Sequence, residues 1–214
     1  MIQQGRLFFN NPKKYGILYI LFMCGVALVM FSLPQYAYAV KDNLLGMGAG
    51  YFIPADEKHK DIYSNNIFTS VFYERFIGER FSIGLSSGYM NEKGKACTSS
   101  GRESDASATM LIVPTSISWK FHFEVEPEVL VFVGCGGDYW YYKETTGNKI
   151  YDAEEYGVGG YHANLGVKLF TCEESFYGRM GFIAEAVYSK IDRFGKNSID
   201  FGGLTISASF FISF

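Results

Sequence analysis

The last segment of the chain, from Leu204 to Phe214, alternates apolar residues with small or polar ones and ends on an aromatic residue. Successive side chains of a strand point to opposite faces. One face of this segment would therefore carry the apolar residues Leu204, Ile206, Ala208, Phe210, Ile212 and Phe214. A strand of about ten residues with one apolar and one polar face is what a membrane-spanning barrel requires, because lipid surrounds the wall and a polar interior lies within it.

The amino-terminal segment has the features of a secretory signal. Lys13-Lys14 precede an apolar run from Tyr15 to Leu33, and Ala37-Tyr38-Ala39 matches the small-x-small pattern of a cleavage site. We therefore expect residues 1–39 to be a cleaved signal peptide and residues 40–214 to be one domain. A retained membrane anchor is the alternative, because the apolar run is nearly long enough to span a bilayer.

Composition narrows the function classes of the mature part. Over the full chain, a formal net charge of −3 and a pI of about 5.7 give no electrostatic reason for binding nucleic acid. No stretch after the signal is apolar enough to span a bilayer as a helix. A mature chain that enters a membrane must then form a closed sheet, because an open edge would leave backbone groups unpaired in lipid. We expect Cys97, Cys135 and Cys172 to be unpaired, since they fall in a loop, a strand and a turn.

Segments with a period of two recur along the mature chain. They are Asn43–Ile53, Ile67–Phe76, Phe81–Met90, Thr109–Phe121, Val129–Tyr142, Gly157–Phe170, Phe176–Ser189 and Phe201–Phe214. Glycine and serine are frequent on the face opposite the apolar one, as the interior of a narrow barrel requires. The sequence predicts an all-β fold: an eight-stranded antiparallel up-and-down transmembrane barrel.

The connections between these segments alternate in length. The long, charged ones are Pro54–Asn66, Asn91–Ser107, Lys143–Tyr156 and Lys190–Asp200. The short ones are Ile77–Arg80, His122–Glu128 and Thr171–Ser175. This alternation predicts long extracellular loops and short periplasmic turns, with both termini on the short-turn side.

Aromatic residues cluster near the ends of the predicted strands. On the lipid face, the residues expected near the long loops are Tyr51, Tyr89, Tyr139, Tyr141 and Tyr188. Those expected near the short turns are Tyr73, Phe81, Trp119, Phe121 and Phe214. Two aromatic belts at the two interfaces are typical of membrane barrels.

Several motifs resemble the small eight-stranded outer-membrane barrels of Gram-negative bacteria, of the OmpX and OmpA-transmembrane-domain type. They are Gly46-x-Gly48-x-Gly50-Tyr51 with Pro54, Val113-Pro114, Val133-Gly-Cys-Gly136, Gly160-Tyr-His-Ala-Asn-Leu-Gly166 and the terminal Phe214. The resemblance covers the mature chain and implies an integral protein of the outer membrane. Relatives often carry an arginine two residues after the glutamate of the seventh strand, whereas this chain has Val187.

The same resemblance implies how the chain is inserted. The terminal residues Phe210, Ile212 and Phe214 look like the signal that the outer-membrane barrel assembly machinery reads. The partners implied are that machinery, outer-membrane lipid and lipopolysaccharide, and an extracellular ligand of the long loops.

Alternation also places ionisable and amide side chains inside the barrel. The inward set is Glu74, Lys120, Asp138, His162, Asn164, Lys168 and Glu185. Charges kept from bulk water need partners, and the interior of an eight-stranded barrel is just wide enough for side chains to fill. We therefore expect a lumenal polar network without a pore for large solutes. The alternative is a path for protons or small ions.

The positions of the histidines and their neighbours do not complete a catalytic or metal site. His162, Asn164 and Glu185 resemble the triad of a lipid A deacylase family, but Asn164 has no nucleophilic hydroxyl and His162 is predicted to face the lumen, away from lipid. His59 and His122 fall in a long loop and a short turn, without a ligand partner at the spacing of a zinc or copper site. The sequence therefore predicts no enzyme, metal site or cofactor.

The long loops, rich in charged residues, serine and glycine, are the remaining functional surface. We expect a non-enzymatic outer-membrane barrel with a role in adhesion or envelope integrity. The alternatives are a lipid A-modifying enzyme, a small-solute or ion pore, and a soluble periplasmic ligand carrier whose apolar faces turn inward.

Overall fold

Eight antiparallel strands follow one another and close on themselves. The computed structural model describes residues 43–56, 67–97, 103–146, 154–171, 179–191 and 202–214. The strands are β1 (Asn43–Pro54), β2 (Ile67–Phe76), β3 (Phe81–Cys97), β4 (Glu103–Glu126), β5 (Val129–Thr146), β6 (Glu154–Phe170), β7 (Met180–Ile191) and β8 (Gly203–Ser213). Each strand pairs with the next and β8 pairs with β1, so the predicted eight-stranded barrel is confirmed.

The barrel closes where the described chain begins and ends. The Asn43 amide donates to the Phe214 carbonyl at 3.2 Å, and the Phe214 amide donates to the Asn43 carbonyl at 2.9 Å. We call this end of the barrel the proximal rim and the opposite end the distal rim. Closure satisfies the backbone groups of β1 and β8 that an open sheet would leave unpaired.

Side chains alternate between the two faces of the wall, as β1 illustrates. Leu45, Met47 and Tyr51 point outward and are 48%, 65% and 50% exposed, whereas Leu44 and Phe52 point inward and are each 1% exposed. Large apolar residues are exposed on the outside of every strand. A soluble carrier would need its apolar faces turned inward, so the observed orientation contradicts that alternative.

Aromatic side chains lie on the outer face near both rims. Tyr51, Tyr89 and Tyr188 are exposed toward the distal rim. Trp119, Phe81, Phe121 and Phe214 lie toward the proximal rim, where the rings of Phe81 and Phe121 are 4.9 Å apart. The two groups match the predicted belts at these positions.

Three predicted loops are shorter than expected because the flanking strands continue into them. Within Asn91–Ser107, β3 extends to Cys97 and β4 begins at Glu103. Within Lys143–Tyr156, β5 extends to Thr146 and β6 begins at Glu154. Within His122–Glu128, only Pro127 and Glu128 separate β4 from β5. In the first two of these loops the period-two pattern of hydrophobicity ends before the strands do, because backbone pairing needs no apolar side chain. Toward the β4–β5 turn, Phe123 and Val125 continue the pattern.

The turn between β2 and β3 lies where it was predicted, at Ile77–Arg80. Gly78 has a φ of 79°, a backbone conformation that residues with a Cβ rarely adopt. The Ile77 amide donates to the Phe81 carbonyl at 2.7 Å and holds the turn together.

Two apolar clusters lie inside the barrel at different heights. The distal plug consists of Phe52, Met90, Met110, Ile112, Trp140, Tyr142, Val158 and Ile191. The proximal plug consists of Leu44, Phe76, Phe132, Ile183 and Phe211. The polar side chains of the interior lie mainly between them, so apolar packing lies above and below the polar section.

Several predictions concern residues outside the described ranges. They include the signal peptide, Cys172, and the loop segments at 57–66, 98–102, 147–153, 172–178 and 192–201. The alternation of loop lengths therefore stays a prediction. Among the described residues, no helix is long and apolar enough to cross a membrane. Cys135 is free and exposed on the outer face of β5.

Candidate functional site in the barrel interior

The structure places all seven of the predicted lumenal residues inside the barrel. They are Glu74 on β2, Lys120 on β4, Asp138 on β5, His162, Asn164 and Lys168 on β6, and Glu185 on β7. Six are classed as buried, and the Glu185 side chain is 20% exposed. Charges in such a place are costly unless they are paired and hydrogen-bonded.

Glu74 is the centre of the first polar cluster and is fully buried. Lys168 Nζ donates to Glu74 Oε1. The same oxygen accepts a hydrogen bond from Ser82 Oγ at 2.7 Å and lies 3.3 Å from His122 Nε2. His122 was predicted to lie in a turn; it lies instead on the inward face of β4, because β4 continues to Glu126.

Lys120 joins Glu74 to a second carboxylate. Its Nζ lies 3.4 Å from Glu74 Oε2 and 3.1 Å from Glu185 Oε1. Asn164 Nδ2 donates to Glu185 Oε1 at 2.7 Å. Both lysines also lie against the Phe132 ring of the proximal plug, with Nζ-to-centroid distances of 4.6 Å for Lys120 and 5.1 Å for Lys168. Two lysines and two glutamates thus neutralise one another within one network.

A second polar cluster lies closer to the distal plug. His162 Nδ1 is 2.8 Å from Asp138 Oδ1, and His162 Nε2 is 2.8 Å from Ser118 Oγ. Ser116 Oγ donates to the same Asp138 oxygen at 2.6 Å. All four side chains are on the inward faces of β4, β5 and β6.

The triad-like grouping of His162, Asn164 and Glu185, which the sequence already argued against, does not form. Glu185 contacts Asn164 and Lys120, while the acid that contacts His162 is Asp138. Alternation could have placed Ser118 on the inward face of β4, but its neighbour depends on the register across three strands. The sequence reasoning therefore missed Ser118 as a partner of His162.

A cavity of about 110 Å³ separates the two sides of the interior. One side carries polar and ionisable residues of β4, β6 and β7, among them Ser118, Lys120, His162 and Glu185. On the opposite side, β3 and β8 contribute small residues, including Gly84, Ser86, Gly88, Ser207 and Ser209, while β1 and β2 contribute the aromatic rings of Phe52, Phe68 and Phe72. The chamber is therefore polar on one side and lined by small and aromatic side chains on the other.

Within the described ranges, no group of three or more histidine, cysteine, aspartate or glutamate side chains is arranged to hold a metal ion. The described part of the interior therefore contains ion pairs, hydrogen bonds and the cavity described above.

The predicted assembly residues lie on the outer face of β8. Phe210 and Phe214 are 40% and 42% exposed, and Ile212 is half-buried. The Phe210 ring contacts the Phe182 ring of β7, with centroids 5.6 Å apart. Phe214 is held at the end of the closing strand by its two backbone hydrogen bonds with Asn43 and by one from Asn43 Nδ2 to its carbonyl oxygen.

No protein-family model matches the chain, and no curated protein matches it in sequence. Solved structures do match. Neisserial surface protein A is 11% identical with a TM-score of 0.55, over 83% of this chain and 100% of that chain. The N-terminal β-barrel domain of OprF from Pseudomonas aeruginosa is 11% identical with a TM-score of 0.48, over 81% and 98%. With its closed set of eight antiparallel strands, the chain has the fold of the small eight-stranded outer-membrane barrels.

Proposed function

We propose that this chain is an integral protein of the bacterial outer membrane with a structural or surface-interaction role. The observation that carries the proposal is the orientation of the wall. Large apolar side chains face outward on every strand, while ionisable side chains face the interior. A bilayer stabilises this arrangement, whereas exposed apolar patches of this extent are rare on soluble monomers.

In this proposal, the outer face contacts membrane lipid and lipopolysaccharide, and the long loops meet an extracellular ligand or contribute to envelope integrity. The assembly machinery reads the end of β8, and a cleaved signal peptide directs export. The fold shared with a Neisserial surface protein supports this reading.

We further propose that the protein neither modifies lipid A nor forms a pore for large solutes. His162 is 4% exposed and points into the lumen, so membrane lipid against the outer face cannot reach it. Side chains of the two plugs and the charge network fill most of the interior, as expected for a barrel of eight strands.

The membrane proposal is tested by placing an arginine at two equally exposed sites. Leu165 is 61% exposed in the middle of the outer face of β6, and Val125 is 65% exposed near the proximal tip of β4. We expect Leu165→Arg to destabilise the inserted barrel by about 2–4 kcal/mol and Val125→Arg by about 0–1 kcal/mol, because the cost depends on depth in the bilayer. Reversible urea unfolding in lipid vesicles measures both.

Fractionation of cells provides the second readout. The wild-type protein should remain with the outer membrane after a urea wash and should change its gel mobility on heating. Equal tolerance of arginine at both sites, with recovery in the soluble periplasm, would contradict the membrane proposal.

A further inference from the structure

We propose that Ser118, His162 and Asp138 form a nucleophilic triad inside the barrel that reacts with short acyl esters. Ser118 Oγ and Asp138 Oδ1 each lie 2.8 Å from His162, on its opposite ring nitrogens Nε2 and Nδ1. This geometry, in which a base lies between a hydroxyl nucleophile and an orienting acid, identifies a nucleophilic triad on any fold. The inference goes beyond the proposed function, which requires no chemistry in the lumen.

The register of β4, β5 and β6 places Ser118 and His162 on either side of Gly136. In the paired rows of β4, β5 and β6, Ser118 is opposite Gly136, and Gly136 is opposite His162. A Cβ on Gly136 would lie 2.0 Å from the Ile117 carbonyl oxygen and 2.6 Å from His162 Cε1, closer than side chains can pack. The missing side chain lets the imidazole cross β5 and reach Ser118.

Asp138 acts as a positioning residue through His162. Its Oδ1 accepts from Ser116 Oγ at 2.6 Å as well as contacting His162 Nδ1. A carboxylate accepts and does not donate, so Asp138 favours the tautomer with the proton on Nδ1. The lone pair of Nε2 is then directed at the Ser118 hydroxyl, as general-base catalysis requires.

A second serine–histidine contact in the same lumen provides an internal comparison. Ser82 Oγ lies 2.8 Å from His122 Nε2, the same distance as in the triad. Here, however, the acid Glu74 contacts the same nitrogen, at 3.3 Å, and among the described residues His122 Nδ1 has no hydrogen-bond partner. Ser82 therefore lacks a base oriented from the far side, and we expect it to be unreactive.

The cavity defines the size and chemistry of the substrate. Ser118 and His162 line the chamber of about 110 Å³, which is smaller than the cavity of about 150 Å³ that holds benzene in another protein. Lys120, two residues from Ser118 on the same face, lines it too, together with its ion-pair partners Glu74 and Glu185. The chamber therefore suits an acetyl-sized acyl group and excludes the acyl chains of lipid A.

The reaction needs only the ester and water. The Ser118 oxygen adds to the ester carbonyl carbon while its proton passes to His162 Nε2. The bond from that carbon to the alcohol oxygen breaks, and His162 returns the proton to the leaving alcohol. Water then adds to the acyl carbon and gives a proton to His162. The Ser118 oxygen leaves and recovers that proton, which releases the carboxylic acid.

Methanesulfonyl fluoride, a small reagent that sulfonylates activated serines, tests the nucleophile in the full mature barrel. The Ser118 oxygen would form a bond to sulfur as fluoride leaves. We expect one methanesulfonyl group, mapped to Ser118 by peptide mass spectrometry, in folded protein whose gel mobility is heat-modifiable. Folded protein without label on Ser118 would overturn the proposal.

Matched variants separate reactivity from folding. Ser118→Ala should lose the label, whereas Ser82→Ala should keep it, although both remove a serine bonded to a histidine. His162→Gln should slow labelling by about 100-fold or more, the size of a general-base contribution. Labelling at the wild-type rate in this variant, with the barrel folded, would contradict the assigned base.

Asp138 is tested by loss and rescue. Asp138→Asn should slow labelling of Ser118, and Asp138→Glu should restore part of the rate, because a carboxylate can again orient the imidazole; a purely structural hydrogen bond would not predict this order. Hydrolysis of methyl acetate, followed by NMR, should follow the same order and disappear in Ser118→Ala. Turnover that persists in Ser118→Ala would overturn the assignment of the nucleophile.

Discussion

Lys120 and Lys143 are two paired lysines in different environments. Lys120 is 8% exposed and lies between Glu74 and Glu185, whereas Lys143 is 41% exposed and pairs with Glu155 alone, at 2.9 Å. Removing one partner of a buried ion pair leaves an uncompensated charge. Removing a partner at the surface leaves a charge that water can solvate.

We therefore expect Lys120→Ala to destabilise the barrel by about 3–5 kcal/mol, because Glu185 would lose its cation and Glu74, which is fully buried, would lose one of its two lysines. Lys143→Ala is the matched control and should cost about 0–1 kcal/mol. Urea unfolding in lipid vesicles measures both free energies. Similar costs for the two variants would mean that the lumenal network is solvated rather than buried.

For single residues, the sequence predicted the face of the strand on which a side chain lies but not the residues that it contacts. Alternation placed Glu74, Lys120 and His162 in the lumen because the period of a strand fixes the face on which a side chain lies. It could not pair His162 with Asp138 and Ser118, because that contact depends on the register of three strands and on the gap at Gly136.

Among the elements, β4 shows why strand number was predictable and strand length was not. Its predicted core, from Thr109 to Phe121, alternates clearly, but the strand runs from Glu103 to Glu126. Outside the apolar band, both faces of a hairpin can carry polar side chains while the backbone ladder continues. At the other end of β4, Phe123 and Val125 continue the apolar alternation on the outer face, so the pattern itself could have placed His122 inside.

β8 closes the barrel, and the terminal aromatic residue Phe214 follows it directly. The effect of Phe214 on assembly can be separated from its effect on stability. The side chain of Phe214 is 42% exposed, and its two backbone hydrogen bonds to Asn43 do not require an aromatic ring. We expect Phe214→Ser to lower the amount of inserted, heat-modifiable protein in cells several-fold. The inserted fraction should unfold at nearly the wild-type urea concentration.

Phe81→Ser is the control for that prediction. Phe81 also lies on the outer face near the proximal rim and is 54% exposed. If the assembly machinery reads the end of β8, Phe81→Ser should insert close to normally. An equal loss of insertion in both variants would show that any rim aromatic has the same effect and would remove the reason for assigning an assembly signal to Phe214.

In the barrel as a whole, the two apolar plugs determine which solutes can cross the lumen. The distal plug contains Trp140, 4% exposed, with its ring centroid 5.5 Å from that of Phe52. The proximal plug contains Phe132, fully buried between the ammonium groups of Lys120 and Lys168. A solute that crosses the barrel must pass both plugs, and the interior of eight strands leaves little room beside them.

We therefore expect purified wild-type protein to give no stable openings of large conductance in planar bilayers. Trp140→Ala and Phe132→Ala should each remain closed, because each variant keeps the other plug, whereas the double variant should conduct small ions. Heat-modifiable gel mobility must first establish that each variant is folded. Large openings in the wild type would contradict a filled lumen, and conduction in one single variant would locate the whole barrier in the plug that it removes.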